Sequence, residues 1–295
     1  NMKNLLDTIG NTPIIILNNI IKNKNVHLYA KLEGQNPGGS IKDRTALYMI
    51  EQAEKRGELK KGMTILEASS GNMGISLAMI GTFKGYKVTI IMSEGMSEER
   101  RIMIKALGAD LILTNKEKGT EGAILKAKEL INKYPEKYWF VNQFNNEDNV
   151  LSHYHGIASE ILSQIPNIDY IISGIGTSGT IMGIAKKIKS TSPKTKIVGV
   201  YPPSGYKIQG IQNPNEDFKG DIYNSKLVDI LLNITSEEAF QIAKLLAQTE
   251  GLFVGMSSGA VVAAALKLAS LNKNGSMLVI LPDRGEKYVS TNLYK

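Results

Sequence analysis

The chain has 295 residues, of which 42% are hydrophobic and 21% are charged, a composition typical of a globular protein large enough for two lobes. Its net charge is +7, but acids and bases alternate, as in EQAEKRGELKKG, and no basic stripe carries aromatic residues, so a small anionic ligand is favoured over a nucleic acid. The sequence contains no cysteine, which excludes disulfides, thiol nucleophiles and thiolate metal sites.

The start of the chain predicts neither export nor a membrane anchor. The stretch NMKNLLDTIGNTP lacks the apolar core of a signal peptide. No apolar run approaches the roughly 18 residues that a membrane span requires. We therefore expect a cytoplasmic protein without a membrane partner.

The first element that suggests chemistry is a glycine-rich turn before a helix. Residues 36–39 (NPGG) predict the turn, Ser40 an N-cap, and the apolar spacing of residues 46–50 an α-helix. Lys42 then lies in the first helical turn, where the positive end of the helix dipole lowers the pKa of an amine. A nucleophilic amine needs a lowered pKa, although most of the 35 lysines and arginines must be solvated surface charges.

Short apolar runs rich in β-branched residues alternate with helical stretches along the rest of the chain. They are TILEA, KVTIIMS and DLILT in the first half, and DYIISGI, KIVGVYP and SMLVILP in the second. Continuously apolar strands that alternate with helices predict an α/β fold, with two lobes that each contain a mostly parallel twisted sheet flanked by helices. A boundary near NQFNNEDN divides the chain into lobes of residues 1–145 and 146–295, and residues 1–35 could cross to the second lobe.

Three glycine-rich loops each join a predicted strand to a helix or open a helix. They are EASSGNMG (67–74), SGIGTSGT (173–180) and GMSSGA (255–260). In open α/β sheets, ligands bind beyond the carboxyl ends of the strands, where helix N-termini converge. The first loop suits a carboxylate and the second a phosphate.

The second loop also matches the GxGxxG pattern of dinucleotide-binding proteins at residues 174–179. A nicotinamide cofactor would need an acid at the end of the following strand to bind its ribose. That strand ends in residues 200–202 (VYP), which include no acid. The pattern therefore favours a single phosphate monoester, bound by backbone N–H groups and the hydroxyls of Thr177 and Thr180.

The three histidines predict no metal site. His153 and His155 stand two residues apart, so a helix would point them to different faces, and neither has an evident carboxylate partner. We interpret both as structural. The chain also lacks the HExxH motif of zinc proteases and the GxSxG motif of common serine hydrolases.

A phosphate loop, an activatable lysine and a carboxylate loop together fit pyridoxal 5'-phosphate acting on an amino acid. The segments that carry a family likeness are KLEGQNPGGSIKDRTA, EASSGNMG, NQFNN, GIGTSGT, GMSSGA and LPDRGEKYVST. They resemble the cysteine synthase (O-acetylserine sulfhydrylase) family of fold-type II pyridoxal phosphate enzymes, whose fold is like that of the tryptophan synthase β subunit. The likeness runs from residue 5 to the C-terminus and is nearest to the B-type isozymes. It implies a homodimer.

The resemblance assigns roles to individual residues. Lys42 would form a Schiff base with the cofactor and carry a proton to and from Cα, and Asn72 would bind the ring hydroxyl. The residues implied for the substrate are Ser69, Ser70, Gly71, Asn72, Met73 and Gln143, with Gly210 facing the amino acid. The residues implied for the phosphate are Gly176, Thr177, Ser178, Gly179 and Thr180, and Ser178 stands where many relatives have glycine.

Four further positions depart from the family pattern. Ser69 and Met73 each replace a threonine of the substrate loop, and Met73 removes a hydroxyl that could serve the carboxylate. Family members often place a serine near Asp283 that hydrogen-bonds the pyridine nitrogen. Asp283 would keep that nitrogen protonated, or else make a structural contact with Arg284. Asp229 stands where relatives commonly have glutamate, and it would activate water or remain a surface acid.

The activity implied by the resemblance is β-replacement through an aminoacrylate, in which O-acetyl-L-serine and sulfide give L-cysteine. One alternative is release of sulfide from cysteine, which leaves serine or a thioether such as lanthionine. A second alternative is a non-catalytic regulatory protein that holds pyridoxal phosphate. The intact Lys42 and Asn72 favour catalysis over the regulatory role.

Overall fold

The computed structural model describes residues 2–69, 71–216 and 220–295, in which ten strands and nine α-helices form. The strands are β1 (Ile14–Leu17), β2 (Val26–Leu32), β3 (Thr64–Ala68), β4 (Lys87–Ser93), β5 (Asp110–Thr114), β6 (Tyr138–Phe140), β7 (Tyr170–Gly174), β8 (Lys196–Tyr201), β9 (Ile230–Asn233) and β10 (Gly275–Leu281). The helices are α1 (Lys42–Arg56), α2 (Asn72–Phe83), α3 (Glu98–Ala106), α4 (Gly119–Lys133), α5 (Glu147–His155), α6 (Ile157–Gln164), α7 (Gly179–Thr191), α8 (Ser236–Glu250) and α9 (Met256–Leu271). Within these ranges no helix combines the length and the apolar character needed to cross a membrane.

The strands form two sheets. The four-stranded sheet has the order β5-β4-β3-β6, and all its neighbours are parallel. The six-stranded sheet has the order β1-β2-β10-β7-β8-β9, in which only β1 and β2 are antiparallel. A helix follows β3, β4, β5 and β7 before the next strand, whereas β8 and β9 are joined by a long connection that contains only the short turn Ser225–Leu227 among its described residues. The predicted α/β fold with two mostly parallel sheets is confirmed.

The beginning of the chain joins the sheet of the second half. Strand β2 pairs with β10 along its whole length, from Val26 opposite Gly275 to Leu32 opposite Leu281. The chain then passes through α1 into the four-stranded sheet. The boundary predicted at residue 145 falls between β6 and α5 and stays a prediction.

Burial of apolar strands on both faces holds the two sheets in place. All five residues of β3 are buried, as are six of the seven in β4. Burying one leucine or isoleucine side chain contributes about 1.5–3 kcal/mol, so these strands hold much of the folding energy. Beside the six-stranded sheet, helices α8 and α9 pack closely on each other. A Cβ added at Gly259 would lie only 2.0 Å from the Ala239 carbonyl oxygen, so no larger residue fits there.

Local signals mark both ends of helix α1, whose start borders the site. Helix α1 ends at Gly57, whose φ of 72° lies in the left-handed region that glycine adopts at little cost. At its start the structure differs by one residue from the prediction. Ile41 is the N-cap, while Ser40 Oγ accepts a bond from the Lys42 N–H at 3.2 Å. The predicted position of Lys42 in the first turn is unaffected.

Candidate active site between the two sheets

A cavity of about 760 Å³ lies where loops at the carboxyl ends of strands from both sheets meet. The loop after β3 and the loop after β7 both line it, as expected for a ligand site in an open α/β sheet. The predicted site residues on its wall are Lys42, Ser69, Asn72, Met73, Gln143, Gly176, Thr177, Ser178, Thr180 and Gly210. Gly71, Gly179 and Asp283 lie behind the wall, and Ser70 is outside the described residues.

Lys42 is half-buried at the start of α1 and reaches across to the second half of the chain. Its Nζ lies 3.4 Å from Thr177 Oγ1, in the loop after β7. Loss of solvent around the amine lowers the pKa of Lys42 to about 8, and the charge of Glu67 opposes this shift. Near neutral pH, Lys42 therefore supplies far more unprotonated amine than an ordinary lysine with a pKa of 10.5.

The loop after β7 forms an anion cradle at the N-terminus of α7. A Cβ at Gly179 would lie 1.9 Å from Asn149 Oδ1, and one at Gly176 would lie 2.5 Å from the Gly210 carbonyl oxygen. Only glycine therefore fits these two positions as they are packed. Ser178, the N-cap of α7, has a φ of 74°, in the left-handed region that glycine adopts more easily than serine. Backbone N–H groups and the helix dipole at this end suit a phosphate.

The hydroxyls of the cradle are held from behind by α5. Asn149 Nδ2 donates to Thr177 Oγ1 at 2.9 Å and to the Gln143 carbonyl oxygen at 2.8 Å. His153 Nε2 lies 3.3 Å from Thr180 Oγ1 and 3.0 Å from Thr45 Oγ1. Burial lowers the pKa of His153 well below its ordinary value, so the ring is neutral. Sequence reasoning treated His153 as merely structural, and nothing in its spacing indicates that it orients the cradle.

The loop after β3 places the N-terminus of α2 at the cavity. Ser69 Oγ accepts the N–H groups of Gly71 at 3.1 Å and Gly74 at 2.9 Å, so this hydroxyl shapes the turn. Gln143 Nε2 donates to the Ala68 carbonyl oxygen at 3.2 Å and borders the same loop. Met73 is almost fully buried and gives this part of the cavity wall an apolar side chain.

Glu67 is a buried acid that sequence reasoning did not select. Its carboxylate accepts the Ala68 N–H at 3.0 Å and the Gln143 N–H at 3.3 Å, so it joins the two loops. Burial raises the pKa of Glu67 to about 8, although these backbone bonds and the charge of Lys42 favour the ionised form. An acid at the end of an apolar strand is the only signal in the sequence that could have found it.

Asp283 anchors a buried polar cluster beside Asn72. Its Oδ2 accepts bonds from Asn72 Nδ2 at 2.7 Å and from the Tyr288 hydroxyl at 2.6 Å. Lys287 Nζ holds the other end of the amide, at 3.0 Å from Asn72 Oδ1. Asp283 Oδ1 is buried and has no hydrogen-bond partner in the described part of the chain. Arg284 pairs with Glu286 instead of Asp283, so the predicted structural contact does not form.

The structure does not bring Asp229 to the cavity. This residue precedes β9, and its carboxylate accepts the Ile197 N–H at 2.7 Å and a bond from Lys189 Nζ. Both contacts lie at the amino end of the parallel strands, whereas the cavity lies at their carboxyl ends. Its geometry therefore supports the role of a surface ion-pair partner and not that of a base for water. Among the described residues no cluster of three histidine, aspartate or glutamate side chains could hold a metal ion.

The chain is similar to known enzymes over nearly its whole length. The sequence profile of the family described as "Pyridoxal-phosphate dependent enzyme" matches residues 5–283. Cysteine synthase B of Escherichia coli strain K12 is 43% identical over 294 residues, which cover 99% of this chain and 96% of that protein.

Two solved structures share the fold. Cysteine synthase of Entamoeba histolytica superposes with a TM-score of 0.93 at 39% identity, covering 99% of this chain and 90% of that one. A hydrogen sulfide-producing enzyme of Fusobacterium nucleatum also gives a TM-score of 0.93, at 40% identity, covering 98% of this chain and 100% of that one.

Proposed function

The chain belongs to the family of pyridoxal-phosphate dependent enzymes, and from that premise we propose that it makes L-cysteine from O-acetyl-L-serine and sulfide. The observation that carries the proposal is the meeting of Lys42 with the anion cradle at Thr177, opposite the N-terminus of α2. The likeness to cysteine synthase B supports the choice of substrates.

The residues around the cavity fit pyridoxal phosphate. The cradle at α7 has the shape and the donors for its phosphate, and Lys42 supplies an amine of lowered pKa for its aldehyde. Asn72, held in place by Asp283 and Lys287, can bind the ring hydroxyl. Asp283 lies behind the cavity wall, so its part in this fit is to hold the Asn72 amide.

When bound, the cofactor supplies an electron sink that stabilises negative charge at the substrate Cα. The protein positions the reacting groups. The N-terminus of α2 and the loop around Ser69 hold the carboxylate, and Lys42 Nζ takes the proton from Cα. The Cβ–O bond then breaks and acetate leaves, and sulfide forms the new Cβ–S bond. Lys42 returns the proton to Cα, which completes L-cysteine.

A direct assay tests this proposal. The purified, cofactor-loaded protein is supplied with O-acetyl-L-serine and sulfide, and cysteine and acetate are measured over time. We expect equal amounts of both products, at a rate proportional to protein concentration. A protein that retains pyridoxal phosphate but forms no cysteine would instead support the regulatory alternative.

Sulfide release from cysteine is a second candidate activity, favoured by the likeness to the hydrogen sulfide-producing enzyme. The same exchange at Cβ can begin with cysteine, but thiolate is a poorer leaving group than acetate. We therefore expect sulfide to form more slowly from cysteine plus 2-mercaptoethanol than cysteine forms from O-acetyl-L-serine, with a thioether as the coupled product. Mass spectrometry of the products checks this. Absence of both sulfide and thioether would limit the enzyme to synthesis.

The lowered pKa of Lys42 gives a pH prediction. Only the unprotonated amine attacks an aldehyde, and with a pKa of about 8 roughly half of Lys42 is unprotonated at pH 8. The rate at which the cofactor-free protein takes up pyridoxal phosphate should rise from pH 7 to 9 and then level off. Stopped-flow absorbance measures this rate. A rate that keeps rising tenfold per pH unit up to pH 10 would contradict the assignment.

The homodimer implied by the resemblance and the cytoplasmic location expected from the start of the sequence stay predictions. Light scattering after size-exclusion chromatography tests the first, with twice the chain mass as the expected result.

A further inference from the structure

Arg100 is a buried cation on the wall of the same cavity, and it has no role in the function proposed so far. It lies in the first turn of α3 and is 3% exposed. Its Nη1 donates to Ser97 Oγ at 3.2 Å and to Gln209 Oε1. Its guanidinium carbon lies 4.6 Å from the centre of the Tyr288 ring. All three of these partners are neutral.

No carboxylate of the described residues lies within salt-bridge distance of Arg100. The acids on the cavity wall, Glu117, Glu121 and Glu216, make no such pair with it. Its Nε is buried and has no hydrogen-bond partner within the described part of the chain. An arginine cannot lose its proton in a protein. Glu99, the carboxyl group whose pKa the charge of Arg100 helps to lower, hydrogen-bonds Ser290 instead, so the guanidinium can still pair with an anion that enters the cavity.

The contrast with Arg44 shows how this chain treats a buried arginine that serves only the fold. Arg44 is 6% exposed and pairs with Glu33 at 2.6 Å and with Glu160 at 2.5 Å. Its charge is neutralised inside the protein. Arg100 is equally buried but faces a cavity and lacks such partners, as a ligand-binding cation does.

Arg100 also packs against the loop that would hold the substrate carboxylate. A Cβ at Gly71, the N-cap of α2, would lie 2.1 Å from Arg100 Cδ and 2.2 Å from its Nε. The guanidinium therefore sits beside a helix N-terminus, where the dipole also favours an anion. The loop presents the apolar Met73 to the cavity, and Arg100 offers a charged donor on the same wall.

We propose that Arg100 binds the carboxylate of an amino-acid substrate at the N-terminus of α2 and makes the enzyme selective for substrates that carry one. The inference rests on the proposed function, because it names a group on that function's substrates. The carboxylate belongs either to the donor amino acid or to a thiol that adds at Cβ. Both sources have the same chemistry, and two experiments separate them.

The first experiment measures binding to the cofactor-loaded protein by calorimetry, with L-serine and L-serinamide as probes. These probes differ only in whether they carry a carboxylate or a neutral amide. If Arg100 binds the donor carboxylate, Arg100→Gln weakens L-serine binding by about tenfold to a hundredfold, as expected for a charged hydrogen bond. L-serinamide binding changes little, and Arg100→Lys recovers part of the loss.

The matched control is Arg101→Gln, on the same helix but not on the cavity wall. It should bind both probes like the wild type. Thermal unfolding of each variant shows whether the fold is intact. If Arg100→Gln is unstable, the two probes are compared on Arg100→Lys instead. A general loss of structure would weaken both probes alike, so a changed ratio of L-serine affinity to L-serinamide affinity would still report on the carboxylate.

The second experiment supplies O-acetyl-L-serine with either 3-mercaptopropionate or 2-mercaptoethanol. If Arg100 binds the acceptor carboxylate, Arg100→Gln raises the KM for 3-mercaptopropionate about tenfold or more, with kcat unchanged and no effect on 2-mercaptoethanol. The proposal is overturned if Arg100→Gln changes the binding of L-serine and L-serinamide equally and also changes the KM for 3-mercaptopropionate and for 2-mercaptoethanol equally. It is also overturned if the variant alters only the KM for sulfide. If the wild-type protein releases no acetate from O-acetyl-L-serine, the proposed function is refuted. The calorimetry still tests whether Arg100 binds a carboxylate, because it does not require turnover.

Discussion

Replacement of Lys42 by alanine is expected to abolish cysteine formation, with a loss of about a thousandfold or more. Lys42 would provide both the covalent attachment of the cofactor and the proton transfer at Cα, and proton transfer alone is worth about 10²–10⁴-fold. Its Nζ already lies 3.4 Å from the phosphate cradle at Thr177. The measurements are the steady-state rate and the visible absorbance of the purified protein, which should also be lost.

Lys55→Ala is the matched control for this variant. Lys55 lies in the last turn of the same helix and is exposed, so its loss should leave both the rate and the absorbance unchanged. If Lys42→Ala kept more than a tenth of the wild-type rate, the role assigned to Lys42 would be wrong.

The largest effect on stability is expected from Arg44→Met. Arg44 pairs through Nε with Glu33 at 2.6 Å and through Nη1 with Glu160 at 2.5 Å, which ties α1 to α6 and to the end of β2. Glu33 is fully buried, so removing its charged partner leaves an unpaired carboxylate in the interior. Breaking a buried pair in this way costs about 3–5 kcal/mol in the free energy of unfolding. Urea denaturation measures it.

Arg56→Met is the control, because Arg56 is a half-exposed arginine on the same helix that pairs with Glu58 and Asp148. Solvent screens such pairs, so we expect a loss of less than about 1 kcal/mol. Equal losses in the two variants would show that the buried network contributes no more than a surface ion pair.

The same network gives a pH dependence. Burial disfavours the charged form of Glu160, but the bonds and charge of Arg44, assisted by Lys31, outweigh it and lower the pKa of Glu160 from 4.5 to about 2. A carboxyl group with a lowered pKa stabilises the fold above its unfolded pKa. That contribution is lost as the pH falls from 4.5 to 2, and the loss should be smaller in Arg44→Met.

The sequence allowed the fold and the loops of the site to be predicted because their signals are local. Apolar strands such as TILEA can only be buried on both faces, and glycines before a helix mark loops that approach a ligand closely. Lys42 could be selected because a turn and a helix start surround it within ten residues. Each of these features is visible in a short stretch of sequence.

The residues that sequence reasoning missed act through contacts between distant elements. His153 reaches Thr180 across 27 positions, and Lys287 reaches Asn72 across 215. Arg100 is unusual because its Nε is buried without a hydrogen-bond partner among the described residues, and a chain rich in alternating charges gives no sign of this. Asp229 was selected from its place in a family pattern, and strand direction puts it at the opposite end of the sheet.

The central claim is that the cavity between the two sheets is a pyridoxal phosphate site built on Lys42. Borohydride reduction fixes the cofactor to the amine that holds it, and peptide mapping by mass spectrometry then identifies that lysine. We predict that the pyridoxyl group is found on the peptide that contains Lys42 and on no other. Label on Lys287, the buried lysine behind Asn72, or on any surface lysine would contradict the claim.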